Sequence, residues 1–299
     1  MSSDTITTCA ACGKEGDSLK ACTACFMVKY CNRDCQVAHR PQHKKACKKR
    51  AVELHDEKLF QAPPTKEDCP ICMLPMPLSN NKLCHGVTTK YMPCCGKTLC
   101  SGCAIAEGFE MEEGNIKPWC SLCRVPLPES DEEIIKRYKK RMELNDAEAF
   151  NWMGLAYFDG TLGLEKDINK AFSLWDQAAE LGSILAYFNF ATEYHQGETV
   201  EKDMDKALHY YILAAIGGHE ISRHFLGLLE KRNRNKIRAM KHFMIAARAG
   251  YDYSLKEIGE GYKAGYVTKD DYATTLRAYQ KSADEMKSKN RDIAAESIE

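Results

Sequence analysis

Cysteine pairs are the residues of this 299-residue sequence most suited to chemistry. All 16 cysteines lie between Cys9 and Cys123, and most are separated from a partner by two or three residues. Such spacing lets one tight turn offer two thiolates to a metal ion, and zinc takes four ligands of sulfur or imidazole nitrogen. The front of the chain therefore predicts zinc sites that protein ligands fill completely, rather than a disulfide scaffold or a thiol enzyme.

The first group of candidate ligands forms four pairs, enough for two zinc ions. The group consists of Cys9, Cys12, Cys22, Cys25, Cys31, Cys35, His43 and Cys47. With all four positions of each zinc filled by protein, no position remains for water or a substrate, which is typical of a structural site.

This spacing resembles a MYND finger over residues 9–47, and Tyr30, Gln36 and His39 also fit that pattern. The resemblance implies interleaved ligands, with one zinc held by Cys9, Cys12, Cys31 and Cys35 and the other by Cys22, Cys25, His43 and Cys47. His39 is the alternative to His43, which has the family's spacing to Cys47. MYND fingers typically bind short proline-containing peptides. Arg40 stands where many members have a Trp that lines the peptide groove, so a purely structural role stays open.

A second group of pairs follows a short polar segment that contains Pro63 and Pro64. The segments CPIC, CCGKTLCSGC and CSLCR resemble an all-cysteine RING finger. The resemblance implies one zinc bound by Cys69, Cys72, Cys100 and Cys103, and a second bound by Cys94, Cys95, Cys120 and Cys123. The two modules together would hold four structural zinc ions.

Two other residues could serve as the third or fourth ligand of this second module. RING fingers usually carry a His near position 97, where this chain has Lys97. Cys84 or His85 could therefore replace Cys94 or Cys95. We favour the adjacent pair, because Cys95 keeps the usual gap to the next ligand.

A RING finger acts by positioning a ubiquitin-conjugating enzyme, so its contribution to catalysis is orientation. By resemblance, Ile71 and Pro126 would contact that enzyme, and Arg124 would hydrogen-bond both ubiquitin and its carrier with the fixed fork of its guanidinium. Ser121 and Glu107 depart from the usual proline and aromatic residues. Enzymatic activity is therefore an open question on sequence alone.

The residues that follow these modules have sequence patterns that predict helices. Ser130 and Glu133 form a capping box, and apolar residues then recur at helical spacing. A unit of ~36 residues follows, and such a period with two helices per unit predicts an α-solenoid. The repeated positions are Gly154, Ala171, Trp175 and Ala178 in the first unit, Ala191, Ala207, Tyr211 and Ala214 in the second, and Gly227, Ala239, Phe243 and Ala246 in the third. These units resemble Sel-one-like repeats, relatives of tetratricopeptide repeats, over residues 147–285.

We therefore predict two small cross-braced zinc fingers with little regular structure, followed by an all-α solenoid of helix-pair repeats. The predicted boundaries are 1–50 for the MYND-like finger, 51–66 for a linker, 67–129 for the RING-like finger, 130–289 for the solenoid and 290–299 for a polar tail.

The expected partners are proteins, namely a ubiquitin-conjugating enzyme, substrates and proline-containing peptides. A net charge of zero disfavours nucleic acid. No apolar run approaches the ~18 residues of a membrane span. The absence of a secretory signal predicts the cytoplasm or nucleus, where thiols stay reduced. The leading hypothesis is a RING-type ligase component that recruits substrates through its repeats and MYND-like finger. The alternative is a non-catalytic adaptor.

Overall fold

The computed structural model describes residues 7–78, 89–106, 111–112, 115–116 and 118–296. Cys84, His85 and Glu107, which the sequence analysis singles out, lie outside these residues. The chain divides into two compact units, Met1–Gln61 and Ala62–Glu299. A small cysteine-rich region precedes a helical solenoid, so the predicted fold class is confirmed.

The first unit consists of a short hairpin and one long helix. Strand β1 (Lys20–Ala21) pairs antiparallel with β2 (Lys29–Tyr30), and α1 spans Arg33–Leu59. The Asn32 side chain caps α1 by accepting a hydrogen bond from the Cys35 amide at 2.9 Å. The helix continues through residues 51–59, which the sequence analysis assigns to a linker. Most residues of this stretch are good helix formers, and Arg50 pairs there with Glu53 and Glu57.

The second unit begins with an extended segment and a small zinc module. Strand β3 (Thr89–Met92) pairs antiparallel with β4 (Lys97–Cys100), and α2 (Ser101–Ala106) follows directly. A second hairpin pairs β5 (Met111–Glu112) with β6 (Asn115–Ile116). Met92 and Leu99 are the non-ligand members of the buried apolar cluster of this module, and the other buried members of that cluster are cysteines.

The solenoid is built from helix pairs. It begins with α3 (Asp131–Met142). The pairs are α4 (Ala147–Asp159) with α5 (Ile168–Glu180), α6 (Ile184–Gln196) with α7 (Met204–Ile216), α8 (Glu220–Arg232) with α9 (Lys236–Arg248), and α10 (Asp252–Lys263) with α11 (Lys269–Met286). Helix α12 (Lys289–Glu296) closes the order.

Repeated residues explain why these helices stack. Asp167 and Asp203 occupy equivalent N-cap positions and accept hydrogen bonds from the amides three residues later. Trp175, Tyr211 and Phe243 are almost fully buried at matching positions. Buried alanines beside them let the helices approach closely. Each pair therefore buries its apolar face against its neighbours.

The last residues differ from the expected polar tail. Residues 289–296 form α12, in which Ala294 is buried and which packs against α2 of the zinc module. In the sequence, residues 289–296 are only a short, mostly polar segment. Their packing depends on α2, which lies far away along the chain. Among the described residues, no helix has the length and hydropathy that crossing a membrane requires.

Candidate metal centres

Four clusters of ligand atoms stand out in the described chain. Within each cluster, all ligand atoms lie within 4.8 Å of one another. The clusters are Cys9, Cys12, Cys31 and Cys35; Cys22, Cys25, His43 and Cys47; Cys69, Cys72, Cys100 and Cys103; and Cys94, Cys95, Cys120 and Cys123. The structure thus brings together the same four sets that the sequence analysis groups.

The spacing of the sulfur atoms fits zinc. A tetrahedral site with zinc–sulfur bonds of about 2.3 Å has edges of about 3.8 Å. The Sγ atoms of Cys12 and Cys31 are 3.7 Å apart, those of Cys22 and Cys47 are 3.7 Å apart, and those of Cys95 and Cys120 are 3.9 Å apart. A disulfide needs about 2.0 Å, so these are thiol clusters. Four structural zinc sites are compatible with this arrangement.

The pKa values of the thiols indicate which cysteines must lose a proton when zinc binds. The Cys12 amide donates to Cys9 and lowers the pKa of that thiol to about 6. In the same cluster, hydrogen bonding to Cys31 raises the pKa of Cys35 to about 12. The pKa values of neighbouring thiols thus shift in opposite directions, because a thiolate that accepts hydrogen bonds is stabilised and a second negative charge beside it is disfavoured. Zinc binding must release such protons.

The first unit distinguishes the two candidate histidine ligands of α1, His39 and His43. The Nε2 atom of His43 lies 3.2 Å from the Cys25 sulfur, and Cys47 follows one helical turn later. The Nδ1 atom of His39 instead lies 3.1 Å from the hydroxyl of Tyr30. His43 is therefore the histidine in the cluster, and His39 orients the tyrosine beside it.

In the second module, a turn between two strands supplies the adjacent cysteines. Cys94 and Cys95 lie between β3 and β4, and the Gly96 amide donates to the Met92 carbonyl at 2.8 Å. The Sγ atoms of Cys94 and Cys123 are 3.5 Å apart. Lys97 is exposed on β4 and belongs to none of the clusters.

This turn is anchored to the corner between α3 and α4. The hydroxyl of Tyr91 donates to Oδ2 of Asp146 at 2.8 Å, and Arg141 donates to the same oxygen through Nε at 2.9 Å and Nη2 at 2.7 Å. Burial, with the hydrogen bond to Asp146, raises the pKa of Tyr91, so the phenol stays a donor. A Cβ on Gly96 would lie only 2.5 Å from the Asp146 carboxylate. The zinc module is therefore built onto the solenoid.

We expect Tyr91→Phe to lower the free energy of unfolding by ~1.5–3 kcal/mol, because it removes a hydrogen bond to a largely buried carboxylate. Urea titration of the full chain measures this change. Tyr138→Phe is the matched control. The Tyr138 ring stacks on Tyr91, with centroids 6.1 Å apart, and its hydroxyl makes no hydrogen bond within the described residues. An equal loss in both variants would contradict the anchor.

The three residues predicted to contact a conjugating enzyme have distinct settings. Ile71 is half-buried beside the zinc-ligand cluster. Arg124 is exposed, has a left-handed φ of 61°, and its guanidinium lies 5.8 Å from the centre of the Trp119 ring. Pro126 is exposed, and its carbonyl accepts a hydrogen bond from Arg137 of α3 at 2.8 Å.

Sequence reasoning missed other residues of this module. Ile105, Leu122 and Val125 are exposed apolar residues close to ligand cysteines. Their signal in the sequence was their position, within or just after a ligand pair. Ser121, a departure from the usual proline, is buried, and its hydroxyl donates to the Cys103 carbonyl at 3.0 Å. It therefore ties the last ligand pair to α2.

Comparison with known proteins identifies two of the three parts of the chain. Residues 9–47 match the MYND finger family, and residues 145–183, 184–219 and 222–251 match the Sel1 repeat family. The chain thus carries a MYND finger followed by Sel1 repeats, and both assignments made from the sequence are confirmed. The RING assignment of the second module stays a prediction.

Two curated proteins are similar to parts of the chain. Chitin synthase regulatory factor 2 of Schizosaccharomyces pombe is 27% identical over 127 residues, covering 40% of this chain and 25% of that protein. A zinc finger MYND domain-containing protein 10 homolog of Drosophila melanogaster is 48% identical over 46 residues, covering 15% of this chain and 10% of that protein. The chain therefore spans a quarter or less of either relative.

Two solved structures are similar to the repeat region. A Sel1 repeat protein from Oxalobacter formigenes is 32% identical with a TM-score of 0.42, covering 52% of this chain and 63% of that one. A protective antigen of uropathogenic Escherichia coli with an SLR fold is 24% identical with a TM-score of 0.46, covering 53% of this chain and 35% of that one.

Proposed function

We propose that this chain is a RING-type ubiquitin-ligase component whose second zinc module binds a conjugating enzyme. MYND fingers and Sel1 repeats generally mediate contacts between proteins, which supports a role as a protein-interaction scaffold. The proposed ubiquitin-ligase role rests mainly on one observation. The second module combines two cross-braced cysteine clusters with exposed apolar side chains beside the ligand pairs and with the exposed guanidinium of Arg124.

Apolar residues that are exposed or half-buried beside the ligand pairs supply the docking surface in this proposal. Ile71 lies between the first two ligands, Ile105 is 38% exposed in α2, and Leu122 is 37% exposed between the last two ligands. The zinc clusters and the anchor on Asp146 hold the backbone under these side chains. A rigid platform of this kind binds with little loss of conformational entropy.

Arg124 supplies the donor that restrains ubiquitin. Its left-handed backbone sets it at the end of the last ligand turn, where its amide donates to the Cys120 carbonyl at 2.9 Å. The guanidinium has no hydrogen-bond partner in the described part of the chain, so its fork of donors is available. Restraint of this sort favours a near-attack geometry of the thioester.

Substrate recruitment falls to the MYND finger and the repeats in this proposal. The MYND finger exposes Phe26 and Met27 directly after Cys25, and these side chains suit a proline-containing peptide. Arg40, which replaces the usual groove Trp, is also exposed.

The test is discharge of ubiquitin from a panel of loaded conjugating enzymes. We expect Arg124→Ala to slow discharge about tenfold or more, since a hydrogen bond from a charged group contributes ~1.5–3 kcal/mol. Binding of the unloaded enzyme and zinc content should stay unchanged. Ile71→Ala should instead weaken that binding.

Lys97→Ala is the matched control, because Lys97 is an exposed cation of the same module. It should alter neither discharge nor binding. If the wild-type chain discharges no enzyme of the panel and binds none, the non-catalytic adaptor replaces the ligase.

A further inference from the structure

The last helix of the chain rests directly on the zinc module. Gly102 lies in α2 between the ligands Cys100 and Cys103, and a Cβ at this position would be 2.7 Å from both the carbonyl carbon of Asn290 and the amide nitrogen of Arg291. Side chains do not tolerate such an approach, so backbone-to-backbone packing of α2 and α12 requires a glycine here.

Arg291 of α12 reaches the loop that follows the first ligand pair. Its Nη1 donates to the carbonyls of Pro75 at 2.9 Å and Met286 at 2.7 Å. Its Nη2 lies 3.4 Å from the Leu74 carbonyl and 3.5 Å from the sulfur of Cys72. Arg291 is only 9% exposed, so this guanidinium is a buried charge that touches a predicted zinc ligand.

The charge of Arg291 is matched by the cysteines and not by an acid. No carboxylate forms an ion pair with it in the described chain, whereas Arg141 of α3, which also contacts the module, is paired with Asp146 at 2.7 Å. A buried cation is costly unless an opposite charge compensates it. Four thiolates around one zinc ion leave a net negative charge, which would supply that compensation.

We propose that Arg291 positions the zinc site of Cys69, Cys72, Cys100 and Cys103 and offsets part of its negative charge, so that α12 controls how firmly this site keeps its metal. Groups that hydrogen-bond to metal ligands from outside fix the ligand geometry, and their loss typically lowers metal affinity about 10–100-fold. The C-terminal helix is then a structural part of the zinc module. The proposal does not depend on ligase activity.

The test is the rate of zinc transfer from the full-length protein to a chromogenic chelator. We expect Arg291→Ala to release one of four zinc ions about tenfold faster or more, while the other three keep the wild-type rate. Alkylation of freed thiols, mapped by mass spectrometry, should find Cys69, Cys72, Cys100 and Cys103. Lys289→Ala is the control, because Lys289 is exposed on the same helix.

Gly102→Ala perturbs the same contact from the other side and keeps the Arg291 side chain in the sequence, but it moves α12 away from α2. It should speed release of the same zinc, and the double variant should be no faster than the faster single variant, because displacing α12 already withdraws the Arg291 guanidinium from the zinc site. Circular dichroism must show that the solenoid stays helical. Unchanged release in Arg291→Ala, faster release of all four ions, or additive effects in the double variant would each overturn the proposal.

Discussion

Removing zinc should unfold both zinc modules while the solenoid keeps its helical signal. The reason lies in what fills the cores. In the first unit, the buried apolar cluster consists of Tyr30 and three cysteines of the metal clusters. In the second module, Met92 and Leu99 are the only non-ligand members of the buried cluster among the described residues. Structural zinc binding contributes ~10–16 kcal/mol in zinc-finger peptides, far more than such small cores can supply.

The measurement begins with elemental analysis, which should find four zinc ions per chain. A strong chelator should then make residues 1–125 sensitive to protease, while helices of the solenoid stay protected. The same chelator saturated with zinc beforehand serves as the control and should leave the protease pattern unchanged. Two zinc ions or fewer in well-folded protein would contradict the four-site assignment. Loss of the solenoid's helical signal would contradict its independence from the metal.

Trp175→Ala should lower the free energy of unfolding of the solenoid by ~3–5 kcal/mol, the usual cost of truncating a large buried aromatic residue. Trp175 is 1% exposed, and its ring contacts Phe158 and Phe190 at centroid distances of 5.2 and 5.9 Å. Its indole nitrogen also donates to the Asn151 carbonyl at 3.3 Å. The substitution therefore opens a cavity and leaves a buried carbonyl with one partner fewer.

Urea titration followed by circular dichroism measures this effect on the full chain. Leu181→Ala is the matched control, because Leu181 follows the same helix and is 43% exposed. It should change the free energy of unfolding by less than ~0.5 kcal/mol. A cost below ~1 kcal/mol for Trp175→Ala would mean that this ring is not a stacked core residue of the solenoid.

The spacing of residues in the sequence was enough to predict the zinc clusters and the repeats, because both are local patterns. A turn with two cysteines must present both thiols to one ion, and zinc's demand for four ligands then limits how turns combine. The interleaving of the pairs came from family resemblance. In the repeats, alanines around Trp175 recur because each helix pair packs against its neighbours in the same way.

Some distinctions lay beyond the sequence. His39 and His43 both fit as ligands by type, and only the family's spacing to Cys47 favours His43 in the sequence. The fold shows the contacts themselves, with Tyr30 beside His39 and Cys25 beside His43. The sequence also did not show that Ile105 and Leu122 are exposed, because an apolar side chain near a ligand pair can equally pack in the core.

The sequence by itself therefore determined the ligand types, the number of zinc ions that these ligands can hold and the repeated helix pairs, whereas the tertiary structure decided how the second zinc module is held. Arg291 and Cys72 are separated by 219 residues, and Tyr91 and Asp146 by 55. In a linear sequence, Arg291 resembles any solvated charge of a polar segment. Its role emerges only when the helix pairs stack, because the stacking sets where α12 ends up and removes water from the guanidinium. Long-range contacts of this kind carry no local pattern, so no spacing rule could have revealed them.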